Sequence, residues 1–326
     1  MSLPETAPAA TANGVHDGKP ELLVLRALKL GDLLVAVPAL KALRRTFPEH
    51  RLRYAAQGWL SEALGLVGGY ELFPTHGLDE PLAMEPGIVD VAVNLHGSGP
   101  ESQDRIEALQ ARQTIGHRSQ YRDGPPWRAE LHERERWVKL LEWHGIEADP
   151  LDIHLNAPHV SSPVPGATVL HVGAAYGSRL WPAERFAAVA STLASAGHNI
   201  VFTGGSGERD RALDVCRRSG FAEDRVLAGR LGLAEFAATI AAARLVVSAD
   251  TGAAHLASAY GTPSVVLFGP APPEIWGPPP GPHVVLTRAE LRRGDTFADQ
   301  PDPALLAVTV QDVQDVLAAV RELGVM

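Results

Sequence analysis

The sequence has a single cysteine, Cys216, in 326 residues. One thiol cannot close an internal disulfide, and no Cys/His spacing typical of a zinc site surrounds it. These absences exclude a disulfide-stapled scaffold and a zinc-dependent module. Cys216 lies in the run Leu-Asp-Val-Cys-Arg-Arg on a predicted helix, where we expect a buried structural thiol rather than a nucleophile.

Long apolar runs are also absent. None reaches the roughly 18 residues that a membrane-spanning helix requires. Residues 1–20 are rich in Ala, Pro, Thr and Gly and lack the apolar centre of a signal peptide, so they are predicted to be a disordered N-terminal tail. We therefore expect a cytoplasmic protein.

Positive charge is scarce, since the net charge at pH 7 is −9 and lysine is rare. This excludes a broad nucleic-acid-binding surface but is compatible with a small basic site for a phosphorylated substrate. Apolar residues make up 45% of the chain, as in a globular protein. The length predicts two α/β domains.

The first half of the chain alternates between apolar strands and amphipathic helices. Strands are predicted at residues 22–25, 51–55 and 89–95, and helices at residues 32–46, 60–67 and 131–144. Pro38 should kink the first helix. We assign residues 21–158 to an N-terminal Rossmann-like domain.

A proline-rich segment, residues 156–166, has neither helical nor strand periodicity and is the predicted domain boundary. The alternation then restarts. Strands are predicted at residues 168–172 and 199–202 and helices at residues 183–196 and 208–219, with a further strand and helix before residue 245. Residues 164–309 form the predicted C-terminal domain, and residues 310–326 a final helix. The βαβ rhythm predicts an α/β fold of two doubly wound parallel sheets with a cleft between them.

The most informative segment is residues 245–270. A buried strand ends in a polar turn from Ser248 to Gly252, and a helix of small residues follows. Thr251 or Asp250 can cap this helix, and Gly252 lacks the Cβ that would keep a ligand from the backbone. Because a helix N-terminus offers free N–H groups and a positive dipole end, the turn is a predicted diphosphate site.

Asp32 lies where the first strand meets the first helix. Ligands of open α/β sheets bind outside the carboxyl ends of strands, so this loop should face the cleft. A helix cap is the alternative role, and it would be preferred for Asp32 taken alone. Lys29 is a candidate charge at the cleft, although a solvated lysine is equally compatible with the pattern.

Two further loops follow strands of the second domain. Residues 171–182 contain Ser178, Arg179 and then Trp-Pro at a helix start, and residues 202–208 form a glycine-rich turn that ends at Glu208. The turn does not have the Gly-x-Gly-x-x-Gly spacing of a dinucleotide site, so no nicotinamide cofactor is indicated. His255 lies one helical turn beyond Thr251, near the predicted anion site, and a buried structural histidine is the competing interpretation.

The run Asp-Thr-Gly-x-x-His-Leu-Ala-x-Ala-x-Gly-x-Pro, followed by Phe-Gly-Pro, resembles the donor-binding signature of glycosyltransferase family 9, the ADP-heptose heptosyltransferases and their relatives. Leu-Gly-Asp-Leu-Leu-x-x-x-Pro-Ala-Leu resembles the family's N-terminal motif. The resemblance extends over about residues 22–323. It implies the GT-B arrangement, with the C-terminal helix returning to the first domain.

The resemblance also implies roles for individual residues. Asp32 would be the catalytic base that accepts the proton of an acceptor hydroxyl. Arg179 would hold the donor diphosphate with its forked guanidinium, Ser178 would add a hydroxyl, and Glu208 would contact the nucleotide ribose. A surface ion pair is the alternative for Arg179, and a favourable position in the first helical turn is the alternative for Glu208. The remaining predicted donor contacts are Asp250, Thr251, Gly252 and His255.

The function that follows is an inverting, metal-independent glycosyltransferase. Its donor would be a nucleotide-diphosphate sugar, by family default ADP-heptose, and its acceptor a glycan, a glycolipid or a small molecule. No cofactor is expected, and no metal, because the chain lacks an Asp-x-Asp element near the phosphate loops. A lipid-linked acceptor would bring the protein to a membrane surface. Another nucleotide-sugar enzyme, such as a non-hydrolysing epimerase, and a non-catalytic nucleotide-sugar binding module are the alternatives.

Basic residues do not identify the acceptor. Arginines cluster around one turn at positions 44, 45, 51 and 53, a pattern that is usually a solvated face. His96, His117 and His132 have no partner at a catalytic or metal-binding spacing. We expect them to be structural or to lie on the acceptor side.

Overall fold

The computed structural model describes residues 18–322, with side chains described to residue 318. Most of the predicted disordered tail and the last four residues of the chain lie outside this range. The described chain folds into two parallel five-stranded sheets, each with helices on both faces. This confirms the expected α/β class with two doubly wound domains.

The first sheet has the strand order β3-β2-β1-β4-β5. Its elements are β1 (Glu21–Leu25), α1 (Leu30–Thr46), β2 (Arg51–Ala56), α2 (Ser61–Val67), β3 (Glu71–Pro74), β4 (Val89–Asn94), α3 (Pro100–Glu107), β5 (Gln113–Ile115) and α4 (Glu133–Trp143). The central strand β1 is buried along its whole length, as expected for a parallel strand covered on both faces. The strand order reverses between β1 and β4, so the ligand crevice is expected beyond the carboxyl end of β1.

The second sheet has the strand order β10-β9-β8-β6-β7. Its elements are β6 (Thr168–His171), α5 (Ala183–Ser195), β7 (Ile200–Thr203), α6 (Arg209–Arg218), α7 (Leu233–Ala241), β8 (Leu245–Ala249), α8 (Gly252–Tyr260), β9 (Ser264–Leu267), α9 (Pro273–Trp276), β10 (His283–Leu286), α10 (Pro303–Leu306) and α11 (Val310–Glu322). The order reverses between β6 and β8, so the loops after these two strands lie at the second crevice. The strand expected between α6 and α7 is reduced to one bridge between Val226 and Phe202.

The two domains meet through helices α1 and α8, and α2 packs against α7. One hydrophobic cluster contains buried residues from both sheets, for example Leu22 of β1 and Val246 of β8. Residues 156–166 contain no helix or strand, and a domain boundary there stays a prediction. The contact between α1 and α8 brings the N-terminal ends of both helices to the same cleft.

In its described part the C-terminal helix α11 packs on the second domain, and the expected return of residues 310–326 towards the first domain stays a prediction. Its side chains Val313 and Leu317 are buried in the core of the second domain. Gln314 Nε2 donates to Thr192 Oγ1 of α5 at 2.7 Å, and Arg288 pairs with Asp312 at 2.7 Å. The described apolar side chains of α11 thus pack within the second domain.

Within residues 18–322, no helix combines the length and the apolar character that crossing a membrane would require. Cys216 is buried, and its thiol donates to the carbonyl of Phe221 at 3.5 Å. This confirms the structural role expected for the lone cysteine.

Candidate active site

A cavity of about 680 Å³ lies between the two domains at the carboxyl ends of β1, β6 and β8. The first domain lines it with residues 27–32, Gln57 and Trp59. The second domain contributes the loops after β6, β7 and β8. The predicted residues that line it are Asp32, Arg179, Glu208, Asp250, Thr251, Gly252 and His255. A volume of this size suits a nucleotide-sized ligand.

Asp32 stands in the first turn of α1 and reaches the cavity from the first domain. Its Oδ2 accepts the backbone N–H of Lys29 at 3.1 Å, so the carboxylate caps the first turn of the helix. The cap and the exposed side toward the cavity are compatible, because a carboxylate has lone pairs beyond the one that the cap uses. Asp32 therefore serves the helix and still faces the site.

Arg26, which sequence reasoning missed, holds Asp32 from behind. Its side chain is only 1% exposed, its Nε donates to the Asp32 carbonyl at 2.7 Å, and its Nη2 lies 3.5 Å from Asp32 Oδ1. The guanidinium also stacks over Trp137 at 4.7 Å. This buried guanidinium restrains the loop that carries Asp32 and lies beside its carboxyl group.

Arg179 projects from the loop after β6 toward the end of β8. Its Nη1 donates to the Asp250 carbonyl at 3.3 Å and lies 3.5 Å from Asp250 Oδ2. Its Nε is buried and has no hydrogen-bond partner among the described residues. The guanidinium is therefore fixed by Asp250 on one edge and retains donors for an anion on another.

Asp250 is a buried carboxyl between Arg179 and His255, whose Nε2 lies 3.6 Å from Asp250 Oδ1. Burial raises the pKa of Asp250 to about 6, and this outweighs the lowering by Arg179. Burial and the nearby cations Arg134 and Arg179 lower the pKa of His255 to about 3. His255 is therefore neutral near pH 7, and it can offer a hydrogen bond but no charge.

The N-terminus of α8 has unsatisfied polar groups. Thr251 is the N-cap residue, but its hydroxyl makes no cap bond, contrary to the expectation that it or Asp250 caps the helix. Thr251 Oγ1 and Ser248 Oγ are both buried without a partner among the described residues. Buried polar atoms without partners are rare in native proteins, and at a helix N-terminus they are typical of an anion-binding site.

Gly252 is close-packed against the other domain, which is a second reason for glycine here, and the ligand approach expected from the sequence stays a prediction. A Cβ at this position would lie 2.8 Å from Leu30 Cδ2 and 3.1 Å from Leu30 Cγ. Gly31 has a matching role, because a Cβ there would lie 3.0 Å from His255 Cδ2. Both glycines allow α1 and α8 to approach each other, in addition to bordering the cavity.

Glu208 ends the glycine-rich turn and lines the cavity. Its Oε2 accepts the N–H of Gly205 at 2.5 Å, so Glu208 stabilises the start of the helix that follows. This bond leaves room for a ligand contact as well, because a carboxylate can accept more than one hydrogen bond. Gly173, two residues beyond β6, leaves room for the carboxylate of Glu208, the group nearest to the position that a Cβ would take. The ribose contact stays a prediction.

Ser178 is misplaced in the sequence-based site, because it is not among the residues that line the cavity. Its side chain is buried, and its hydroxyl donates to the Thr296 carbonyl at 2.9 Å. Its backbone N–H donates to the Ala298 carbonyl at 2.8 Å. Ser178 holds the segment around Thr296 against the cavity wall, and Phe297 of that segment reaches the cavity.

Aromatic side chains at the cavity were not found from the sequence. They are Trp59 from the first domain and Tyr176, Phe236, Trp276 and Phe297 from the second. Tyr176 and Phe297 form an edge-to-face pair with ring centroids 5.0 Å apart. No short motif marks these residues, because they come from five separate loops or helices that only the fold brings together.

The three other histidines singled out in the sequence, His96, His117 and His132, bond to backbone groups. Nδ1 of His96 accepts the N–H of Ala27 at 3.2 Å, and burial with the nearby Arg26 lowers the pKa of His96 to about 4. His117 bonds to the Pro125 carbonyl at 3.1 Å, and His132 Nε2 bonds across the domains to the Gly277 carbonyl at 3.0 Å. These contacts support the structural interpretation of all three.

Comparison with known proteins supports the motif-based resemblance. The family description "Glycosyltransferase family 9 (heptosyltransferase)" matches residues 150–300. Lipopolysaccharide heptosyltransferase 3 of Escherichia coli is 29% identical over 147 residues, which cover 44% of this chain and 43% of that protein. The chain thus matches less than half the length of this curated relative.

Solved structures agree over nearly the whole chain. A glycosyl transferase family 9 protein from Veillonella parvula superimposes with a TM-score of 0.71 at 20% identity, covering 93% of this chain and 97% of the other. An Escherichia coli heptosyltransferase solved with ADP gives a TM-score of 0.69 at 17% identity, with 92% and 99% covered. At these identities the likeness establishes the fold, which is of the GT-B type.

Proposed function

We propose that the protein transfers a glycosyl group from a nucleotide-diphosphate sugar to an acceptor hydroxyl, a proposal supported by the match of residues 150–300 to glycosyltransferase family 9. The observation that carries this proposal is the convergence of three elements on one cavity. These are Asp32 of the first domain, the guanidinium of Arg179 and the uncapped N-terminus of α8. A base and an anion cradle on opposite walls are what such a transfer requires.

The second domain would hold the donor. Its diphosphate would lie between Arg179 and the turn at Thr251 and Gly252, where Arg179 Nε and Thr251 Oγ1 lack partners among the described residues. Glu208 would contact the ribose and His255, neutral near pH 7, would donate or accept one hydrogen bond. Because the relatives are named heptosyltransferases and one neighbour was solved with ADP, ADP-heptose is the proposed donor.

Transfer would invert the anomeric centre. Asp32 would accept the proton of the acceptor hydroxyl as its oxygen attacks the anomeric carbon, and the bond to the diphosphate would break on the opposite side. A single displacement needs no enzyme nucleophile. The negative charge that develops on the leaving diphosphate would be stabilised by Arg179 and the N-terminal amides of α8.

We also propose that the reaction is metal-independent. Among residues 18–322, no group of three or more His, Cys, Asp or Glu side chains is arranged to hold a metal ion. Asp250, the carboxyl nearest the proposed diphosphate, already contacts Arg179 and His255. The cations required by the leaving group would thus come from the protein.

The test is to incubate the protein with ADP-heptose, with and without a panel of glycan acceptors, and to follow the release of ADP. Release that depends on acceptor supports transfer. Conversion of the donor to an isomer without release of ADP would indicate an epimerase instead. Binding of ADP with no turnover toward any acceptor would favour a binding module.

A further inference from the structure

A second, smaller cavity of about 320 Å³ adjoins the cleft on the side of the first domain. It shares Gln57 and Trp59 with the large cavity, and its other lining residues are Gly58, Pro74, Thr75 and His76. We call this set of six residues the Trp59 pocket. It lies at the carboxyl ends of β2 and β3, in the domain that carries Asp32 and away from the loops of the donor phosphate site.

We propose that the Trp59 pocket binds an uncharged sugar ring of the acceptor. This inference rests on the proposed function, because it assumes that the first domain receives the acceptor. It goes further in naming the chemical class of that acceptor and the residues that recognise it.

Trp59 has the properties of a stacking platform. Trp59 is 48% exposed and borders both cavities. The indole Nε1–H donates to Gln57 Oε1 at 2.7 Å, so the polar end of the ring is satisfied within the protein and its orientation is restrained. The ring faces remain as the contact surface, and the apolar C–H face of a sugar is a suitable partner for the negative face of an aromatic ring.

Polar groups suited to hydroxyls surround this ring. Gln57 uses its Oε1 for Trp59, which leaves its amide N–H groups to donate. The Thr75 hydroxyl donates to the Gly77 carbonyl at 3.1 Å, and its oxygen can accept a further hydrogen bond. His76 is exposed. An aromatic face with a few hydrogen-bond donors and acceptors beside it is an arrangement that fits a sugar ring.

The pocket contains no arginine or lysine among its six residues. The arginines that cluster around one turn of the sequence form hydrogen bonds and ion pairs outside this pocket. Arg51 and Arg53 pair with Glu21 at 3.8 and 2.7 Å, and Arg44 Nη1 donates to the carbonyl of Gly68 at 2.7 Å. Every other arginine in residues 18–163 also bonds to a protein oxygen. Because phosphate recognition relies on such guanidinium donors, a neutral ring fits this pocket better than a phosphorylated one.

The test measures binding of methyl glucoside and methyl galactoside, with glucose 6-phosphate as the charged comparison, by saturation-transfer NMR. Trp59→Ala should weaken binding of the neutral glycosides about tenfold, as expected for truncating a tryptophan at the centre of a contact. Gly58→Leu should have a similar effect by filling the pocket. A Cβ on Gly58 meets nothing within 4 Å, and its backbone is not in the left-handed region, so this variant should fold.

Trp143→Ala is the matched control, because Trp143 is 49% exposed on α4 and lines neither cavity. It should bind the glycosides as the wild type does. Equal binding by wild type and Trp59→Ala, tighter binding of glucose 6-phosphate than of methyl glucoside, or no binding of either neutral glycoside would overturn the proposal. ADP titration separates the proposed donor site from the proposed Trp59 pocket. A wild-type protein that does not bind ADP would contradict the donor site and not the Trp59 pocket. The Trp59 and Gly58 variants should bind ADP as the wild type does.

Discussion

Replacing Arg179 by methionine tests the proposed diphosphate site most selectively. Methionine keeps much of the aliphatic stem and removes the guanidinium. In the wild type, Arg179 Nη1 is held at 3.3 Å by the Asp250 carbonyl, and the buried Nε has no partner among the described residues. If that edge binds the diphosphate, the variant leaves a largely desolvated anion without its counter-charge.

The expected loss is about 2–5 kcal/mol of binding free energy, the usual cost of removing one partner of a buried charge pair. At about 1.4 kcal/mol for each tenfold change, the dissociation constant for ADP should rise roughly 30- to 5,000-fold. The dissociation constant of Arg179→Lys for ADP should lie between those of the wild type and Arg179→Met, because lysine keeps the positive charge but lacks the forked guanidinium.

Stability needs a separate account, because the variant also removes the counter-charge of Asp250. The pKa of Asp250, already about 6, would rise further, so the carboxyl would take up a proton near neutral pH rather than stay buried as an unpaired anion. The double variant Arg179→Met/Asp250→Asn removes this complication. The double variant should bind ADP as weakly as Arg179→Met does, and its melting temperature should be higher than that of Arg179→Met.

The assay is calorimetric titration of ADP, with the melting temperature of each variant recorded in parallel. Arg217→Met is the matched control, since Arg217 is an exposed arginine of α6 outside the cavity and its loss changes the net charge equally. A folded Arg179→Met protein with wild-type affinity for ADP would refute the proposed position of the diphosphate.

Two further predictions follow from the same site. Because the raised pKa of Asp250 lets the native state hold a proton that the unfolded chain releases near pH 4, this group's contribution to stability should fall as pH rises toward 6 and above. Urea titrations should therefore show the free energy of unfolding of Asp250→Asn gaining about 1 kcal/mol on the wild type between pH 5 and pH 7, and parallel pH profiles would contradict the assignment. Transfer should also proceed in excess EDTA, and activity that disappears with chelator and returns with magnesium or manganese would disprove metal independence.

Most strands of the two sheets and many residues that line the cavity could be predicted from the sequence, because both depend on local patterns. Buried parallel strands such as β1 and β8 are continuous apolar runs, and the loops that follow them carry Asp32 and Asp250 to the cleft. The unpredicted strands β3, β5 and β10 have only three or four residues and lack a fully buried run. Their pairing is decided by the neighbouring strands rather than by their own sequence.

The errors at the site have one physical origin, which is contact between segments distant in the chain. Ser178 was assigned to the donor from its position beside Arg179, but its hydroxyl bonds to Thr296, 118 positions later. The packing of Leu30 of the other domain beside Gly252 could not be predicted from the sequence for the same reason. Arg26 and Trp59 carry no motif, and only the folded chain shows that they flank Asp32 and the cleft.

The measurement that tests the central claim most directly is the turnover of Asp32→Asn with ADP-heptose and an acceptor that supports transfer in the wild type. Asparagine keeps an oxygen to accept the Lys29 N–H, so α1 should retain its cap and ADP affinity should be unchanged. With Asp79→Asn, an exposed carboxyl away from the cavity, as the control, we expect turnover by Asp32→Asn to fall roughly 10²–10⁴-fold. Turnover within a few-fold of the wild type would contradict the role of Asp32 as the base.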